Sequence, residues 1–151
     1  MLKSGRRVDA NAARCPRTMA ALENVPQPEQ AGRTPAAMFS LLSPRTTIPP
    51  HVGVSNTRVV SHLALIIPEN CSFRVGNDTR QWVPGKAWVF DDTIEHEARN
   101  DSDKLRVVLI FDVWHPHLTP PERALITALC AGLNAFEAGS PPVADAPGAA
   151  G

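Results

Sequence analysis

Two histidines have the side-chain chemistry and the spacing expected of metal ligands. His51 follows the rigid pair Pro49-Pro50 and precedes Gly53, which places it at the mouth of a strand. His96 comes just after a strand that ends in Asp91-Asp92. Neutral imidazoles that converge from separate strand ends are what a transition metal requires, so the spacing indicates a metal site. The alternative is that each is a surface histidine or a satisfied core histidine.

The carboxylate that usually accompanies two such histidines is missing. A facial iron triad is commonly written His-x-Asp/Glu followed later by His, and here Gly53 stands at the carboxylate position. The sequence therefore indicates two protein ligands or a different metal geometry. A nearby acidic cluster offers a third ligand, although such clusters more often cap turns and face water. It consists of Asp91, Asp92, Glu95 and Glu97.

Arg106 stands in an otherwise apolar strand, where burying a guanidinium without an anion is costly. It can form an ion pair with Asp91, Asp92 or Glu97, or it can clamp the carboxylate of a ligand with two hydrogen bonds. The spacing does not choose between these. His62 lies inside an apolar strand, which favours a core histidine bonded to a neighbour. The three tryptophans are also expected in the core: Trp82, Trp88 and Trp114.

Short strands, separated by turn residues, must position these side chains. We predict strands at 36–42, 58–67, 71–75, 79–82, 87–90, 95–99 and 105–114. Strands about 8 to 12 residues apart are typical of a sandwich or barrel, so the fold is mainly β. A short helix is predicted over 15–25. A second helix begins at Thr119 with a capping box to Glu122 and carries an apolar stripe as far as Gly139.

Length and composition narrow the function further. With 151 residues, we expect one domain over 15–138, a flexible leader at 1–14 and a disordered tail at 139–151. Lys+Arg and Asp+Glu both number 15, so no polycationic face for nucleic acid is expected. Three widely spaced cysteines suit a reducing cytosol, and no apolar run is long enough to cross a bilayer. The sequence thus predicts a soluble cytoplasmic protein without a membrane partner.

Six longer motifs make the sequence resemble a known family, the aspartyl/asparaginyl β-hydroxylases. The resemblance runs from about residue 15 to residue 136. The motifs are HVGVSN at 51–56, HLALIIP at 62–68, CSFRV at 71–75, WVPGK at 82–86, VFDDTIEHE at 89–97 and DVWHP at 112–116. The resemblance implies an iron(II)- and 2-oxoglutarate-dependent dioxygenase, with O2 as co-reactant, on a cupin-like double-stranded β-helix, or jelly roll.

The resemblance also implies roles for particular residues. Iron would be held by His51 and His96, and in this family a glycine replaces the carboxylate ligand, matching Gly53. The residues matching the family's 2-oxoglutarate site are Ser40, His62 and Arg106. The family usually has a further arginine two residues before the second of these, where this chain has Val60, so one contact is lost. Arg58 stands two residues earlier, and we include it in the expected cosubstrate site.

The expected reaction is hydroxylation of the β-carbon of aspartyl or asparaginyl residues, or of a related substrate. The substrate would be a protein, a peptide or a small molecule that bears an Asp- or Asn-like group. A competing hypothesis is a non-catalytic jelly-roll module that binds a small acid or a protein partner. A third, a zinc-bearing cupin-type isomerase, lacks the His-x-His pair usual in that class.

Overall fold

The computed structural model describes residues 1–30 and 32–139, and it contains ten strands and three helices in these ranges. The strands are β1 (Leu2–Lys3), β2 (Arg6–Arg7), β3 (Ala37–Leu42), β4 (Thr46–His51), β5 (Arg58–Ile66), β6 (Cys71–Val75), β7 (Asp78–Arg80), β8 (Ala87–Phe90), β9 (His96–Asn100) and β10 (Arg106–Trp114). The helices are α1 (Asp9–Ala13), α2 (Pro16–Leu22) and α3 (Pro120–Gly139).

The strands form two antiparallel sheets that pack face to face. The larger sheet has the order β2-β1-β3-β10-β5-β8, and the smaller sheet has the order β4-β9-β6-β7. Buried side chains of both sheets, together with Trp82 from the connection between β7 and β8, meet between them: Leu42, Ala64, Cys71, Phe73, Ala98 and Val108. This is the mainly β sandwich that the strand pattern predicted and the jelly-roll architecture that the family resemblance implied, and the C-terminal helix is also confirmed.

Side-chain alternation along β5 and β10 decides which residues reach the interior. The two strands pair at the centre of the larger sheet, with His62 opposite Ile110 and Val60 opposite Asp112. Because successive side chains point to opposite faces, the even-numbered residues of β3 and β10, and those of β5 as far as Ala64, share the inner face. That face therefore collects polar residues from three adjacent strands.

Residues 1–14 differ from the expected loose leader. They form β1, β2 and α1, and Met1 and Ala12 are buried against Met19 and Leu22 of α2 and Leu109 of the sheet. These residues cover part of the outer face of the larger sheet. The sequence showed no periodicity here because single apolar residues, rather than a repeating stripe, make the contacts.

Strand β4 was also missed, since Pro49 and Pro50 interrupt it. Proline cannot donate a ladder hydrogen bond, but β4 lies at the edge of the smaller sheet, where proline is tolerated. The other predicted elements are present with bounds shifted by a few residues. For the predicted tail, Gly139 belongs to α3 and residues 140–151 lie outside the described range. Within the described range, no helix combines the length and hydrophobicity needed to span a bilayer.

The side chain of Asn100 joins three segments at the end of β9. Its Nδ2 donates to the carbonyl oxygens of Leu42, Ser43 and Lys104 at 2.8–3.0 Å. Its Oδ1 accepts from the Ser102 hydroxyl at 2.6 Å. Because Asn100 is fully buried, these bonds fix the end of β3 against β9 and the turn that leads into β10.

Candidate active site

His51 on β4 and His96 on β9 lie side by side on neighbouring strands of the smaller sheet. The two residues are register partners in the β4–β9 pair, and their ring centroids are 4.2 Å apart. Nδ1 of His51 donates to the carbonyl of Pro49 at 2.8 Å, and Nδ1 of His96 donates to that of Ile94 at 2.9 Å. A carbonyl can only accept, so each bond fixes the tautomer and leaves Nε2 with a lone pair for a metal.

The carboxylate of Asp92 occupies the space beside Gly53. A Cβ atom built on Gly53 would overlap that carboxylate, and the Gly53 amide donates to the Asp92 carbonyl at 2.6 Å. The missing side chain at position 53 thus makes room for Asp92. Asp92 is buried, and its Oδ1 has no hydrogen-bond partner. The sequence did not single out Asp92 from its acidic neighbours.

Arg106 is 1% exposed, and none of the carboxylates in the described ranges lies within ion-pair distance of it. Its guanidinium donates to the carbonyl and the hydroxyl of Ser40, both at 3.3 Å, and lies 4.9 Å from the centroid of the Trp82 ring. Its Nε is buried without a partner. Burial lowers the pKa of Arg106 from its ordinary value. The ion pair with Asp91, Asp92 or Glu97 is therefore absent, and the ligand clamp stays a prediction.

His62 is buried among aromatic rings, with the Phe73 centroid at 4.9 Å and the Phe90 centroid at 5.0 Å. Burial, then the charge of Arg106, and then His96 lower the pKa of His62 to about 3. The imidazole is therefore neutral at physiological pH. Its Nδ1 has no partner within the protein, so the expectation of a core histidine bonded to a neighbour is not met.

Arg58 is engaged by two carboxylates. Its Nη2 lies 2.9 Å from Asp92 Oδ2, and its Nη1 lies 3.3 Å from Asp112 Oδ1, the latter an ion pair without hydrogen-bond geometry. Asp112 also accepts from the Ala36 amide at 2.6 Å. Burial raises the pKa of Asp112, whereas Arg58 and the Ala36 amide oppose that rise. Asp112 was missed as a site residue, although its parity with Arg106 in β10 places it on the same face.

One cavity of about 260 Å³ brings all six expected site residues together. They are Ser40, His51, Arg58, His62, His96 and Arg106. Asp92 and Asp112 line the same cavity, and its remaining wall is mostly apolar. The cavity therefore combines a pair of imidazoles, one buried cation without an anion, and a separate carboxylate–arginine network.

The rest of the acidic cluster has other partners. Asp91 accepts from the amide and hydroxyl of Thr93, as a turn cap does, and Glu95 and Glu97 pair with Arg74. In the part of the chain that the structure describes, no group of three or more His, Cys, Asp or Glu side chains is placed to hold a metal. The metal site predicted from the sequence, with His51 and His96 as its ligands, therefore stays a prediction.

The sequence of this chain is similar to those of known hydroxylases. The human aspartyl/asparaginyl β-hydroxylase is 38% identical over 128 residues, which cover 84% of this chain and 17% of that protein. The ornithine lipid ester-linked acyl 2-hydroxylase of Rhizobium tropici is 41% identical over 123 residues, covering 80% of this chain and 42% of that protein. The chain therefore spans less than half the length of either relative.

Solved structures with a similar fold have low sequence identity. The cupin domain of an XRE-family transcriptional regulator from Enterobacter cloacae gives a TM-score of 0.46 at 12% identity, covering 54% of this chain and 82% of that chain.

The family profile described as aspartyl/asparaginyl β-hydroxylase matches residues 1–116, which include every residue of the cavity named above. The chain belongs to the aspartyl/asparaginyl β-hydroxylase family.

Proposed function

We propose that this chain is an iron(II)- and 2-oxoglutarate-dependent dioxygenase that hydroxylates an aspartyl or asparaginyl β-carbon or a related position. The observation that supports this most directly is the state of Arg106. A buried guanidinium without a protein anion is costly unless a ligand supplies the negative charge. Arg106 shares its cavity with two histidines whose Nε2 atoms are free to bind a metal.

The two histidines fit a ferrous ion chemically. Imidazole nitrogen suits iron, and the Nδ1 bonds to Pro49 and Ile94 hold both rings in the tautomer that a metal needs. Iron(II), when bound by His51 and His96, would supply the oxygen activation that protein side chains cannot provide. The other residues of the cavity orient the reactants and limit the access of water.

Arg106 would hold the distal carboxylate of 2-oxoglutarate through its planar fork, with the Ser40 hydroxyl beside it. His62 is neutral and has a partnerless Nδ1, so it can donate a hydrogen bond to a cosubstrate carboxylate without adding charge. Arg58 has a smaller expected share, because Asp92 and Asp112 already balance its charge. With Val60 at the position of the family's further arginine, Arg58 therefore contributes less to 2-oxoglutarate binding than an arginine without carboxylate partners would.

The names of two relatives suggest what the substrates have in common. The β-carbon of an aspartyl or asparaginyl residue is bonded to the side-chain carbonyl carbon, and C2 of an acyl chain is bonded to the ester carbonyl carbon. Both hydroxylations therefore take place next to a carbonyl group. We extend this substrate class to the present chain. Overall, the substrate, 2-oxoglutarate and O2 would give the alcohol, succinate and CO2, with one oxygen atom each in the alcohol and in succinate.

The test is succinate formation by the protein with Fe(II), 2-oxoglutarate and O2. We expect slow succinate release even without a prime substrate, and we expect it to stop in His51→Ala and in His96→Ala. His117→Ala is the matched control, since His117 is an exposed histidine outside the cavity. Unchanged turnover in His51→Ala or His96→Ala would remove that residue from the metal site.

One further variant tests the cosubstrate site, and a binding measurement separates the enzyme from a binding module. Arg106→Lys should weaken 2-oxoglutarate use, because a point charge cannot reproduce the fork. The non-catalytic alternative requires that 2-oxoglutarate bind to the iron-loaded protein without any succinate being produced. Binding measured by calorimetry together with complete silence in the succinate assay would favour that alternative.

A further inference from the structure

The indole ring of Trp82 contacts the side chains of both Arg106 and His62. The Cζ atom of Arg106 lies 4.9 Å from the centroid of the indole ring. The rings of Trp82 and His62 are stacked, with their centroids 6.1 Å apart and an interplanar angle of 26°. Trp82 is 4% exposed and does not line the cavity itself. It therefore contacts two residues of the proposed cosubstrate site without being part of the cavity wall.

The connection between β7 and β8 holds Trp82 in this place. The Gly85 amide donates to the Ala64 carbonyl at 2.9 Å, and the Ala64 amide donates to the Lys86 carbonyl at 3.0 Å. Both bonds tie the connection to β5, the strand that carries His62. The position of the ring is therefore fixed by backbone bonds on a segment other than the one that carries the arginine.

Packing alone does not account for a tryptophan at this position. Its Nε1 atom is buried without a hydrogen-bond partner, although a buried indole N–H usually has one. Burying a donor without a partner is costly, and leucine or phenylalanine would fill apolar space without that cost. The property that distinguishes the indole is its ring face, which attracts a cation more strongly than the other aromatic side chains do.

The guanidinium of Arg106 is the cation that this face meets. Among the described residues, its only hydrogen-bond partner is Ser40, and its Nε atom has no partner. An aromatic face attracts a desolvated guanidinium but cannot neutralise it. The ring therefore offsets part of the cost of burial and leaves the positive charge available to an anion.

We propose that Trp82 is a positioning residue, whose ring face holds the charged guanidinium of Arg106 in place at the cavity wall before an anion binds. A carboxylate ligand then meets an arginine that is already ordered, so less conformational freedom is lost on binding. The effect on 2-oxoglutarate rests on the proposed function, whereas the contact between the ring and the guanidinium does not.

A double-mutant cycle on the ligand-free protein tests this contact. Trp82→Leu should lower the melting temperature, and the loss should be about 3–6 °C smaller in an Arg106→Met background, where the attraction is already absent. Trp82→Phe keeps a ring, should retain part of this coupling, and serves as the second variant if Trp82→Leu does not fold. Equal losses in the two backgrounds, within about 1 °C, would overturn the proposal.

Trp88→Leu is the matched control for the cycle. Trp88 belongs to the same aromatic cluster, with its ring centroid 5.9 Å from that of Trp82, but it has no cation–π contact with Arg106. Its loss in melting temperature should therefore be the same in both backgrounds.

Binding and turnover of 2-oxoglutarate separate positioning from a merely structural role. With Zn²⁺ in place of iron, calorimetry should give a dissociation constant for 2-oxoglutarate that is at least about fivefold higher in Trp82→Leu, and Trp82→Phe should restore most of the affinity. In the succinate assay, the KM for 2-oxoglutarate should rise similarly while kcat stays within about twofold, whereas partial unfolding would lower kcat at unchanged KM.

The outcomes of the two measurements distinguish this inference from the proposed function. A wild type that binds 2-oxoglutarate with the same affinity as Trp82→Leu would overturn the inference and leave the proposed function standing. A wild type that binds no 2-oxoglutarate would refute the proposed function instead, and the cycle alone would then decide whether Trp82 holds Arg106.

Discussion

The buried imidazole of His62 links the geometry of the cavity to the pH dependence of stability. Its pKa is lowered from 6.5 to about 3 in the folded protein, by burial first and then by Arg106 and His96. Between these two values, the unfolded chain binds a proton at His62 and the folded chain does not. Stability should therefore fall as the pH is lowered through this window.

The magnitude follows from the width of the window. One pKa unit corresponds to about 1.4 kcal/mol, so lowering the pH from 7 to 5 should remove about 2 kcal/mol of unfolding free energy through His62 alone. Below about pH 3, where the folded protein also binds the proton, the loss should level off near 5 kcal/mol. His62 is buried, so solvent screening should not reduce these values greatly.

Urea unfolding of the metal-free protein and of His62→Gln at pH 7 and pH 5 isolates this contribution. We expect the wild type to lose about 2 kcal/mol more than the variant between the two pH values. Asp112, whose raised pKa acts in the opposite direction, is present in both proteins and cancels from the difference. His117→Gln serves as the exposed control and should behave like the wild type. An equal loss in the wild type and in His62→Gln would refute the assigned burial of His62.

Three further substitutions test other parts of the structure. Gly53→Ala should lower the free energy of unfolding in urea by about 1–3 kcal/mol, because its Cβ would overlap the Asp92 carboxylate. Gly139→Ala, in open space, is the control and should not lower it, and an equal effect of both would contradict this packing. Arg106→Met should raise the melting temperature of the ligand-free protein, because it removes a buried unpaired charge that destabilises the fold by about 1–3 kcal/mol. The variant should also lose stabilisation by 2-oxoglutarate. A less stable variant would show that the charge is already compensated. Asn100→Ala should destabilise by about 2–4 kcal/mol in urea, because three carbonyls lose their donor, and a loss under 1 kcal/mol would mean that water replaces it.

Much of the fold was accessible from the sequence because the central strands are strongly patterned. The apolar run of β5 and the alternation in β10 predicted two strands of the core, and the alternation placed Arg106 on one face of β10. The family motifs then grouped Arg106 and His62 with His51, His96 and Ser40. All of them line the same cavity.

Features that depend on how strands distant in sequence pair with one another could not be predicted from the sequence. Whether Asp92 lies beside Gly53, and whether Arg58 reaches Asp112, follows from how β5 pairs with β8 and β10. The orientation of α3 likewise depends on contacts with segments outside the helix. Its sequence shows an apolar stripe, but only the packing of Arg123 against Trp114 and the burial of Cys130 reveal that the stripe faces outward.

The distribution of charge within the cavity bears on how two histidines and one arginine could hold the proposed iron and 2-oxoglutarate. The two carboxylates, Asp92 and Asp112, lie with Arg58, and neither balances Arg106. One part of the cavity therefore has an excess of negative charge and a partnerless acceptor at Asp92 Oδ1, and another part has an unbalanced cation. A divalent cation together with a dicarboxylate would compensate both parts at once, whereas either one alone would leave a buried charge without a counter-ion. We therefore expect the metal and the oxo acid to bind with positive coupling, each raising the affinity for the other by the same factor. Titration of 2-oxoglutarate with and without a redox-inert divalent metal measures this factor, and equal affinities would show that the two charges are compensated independently.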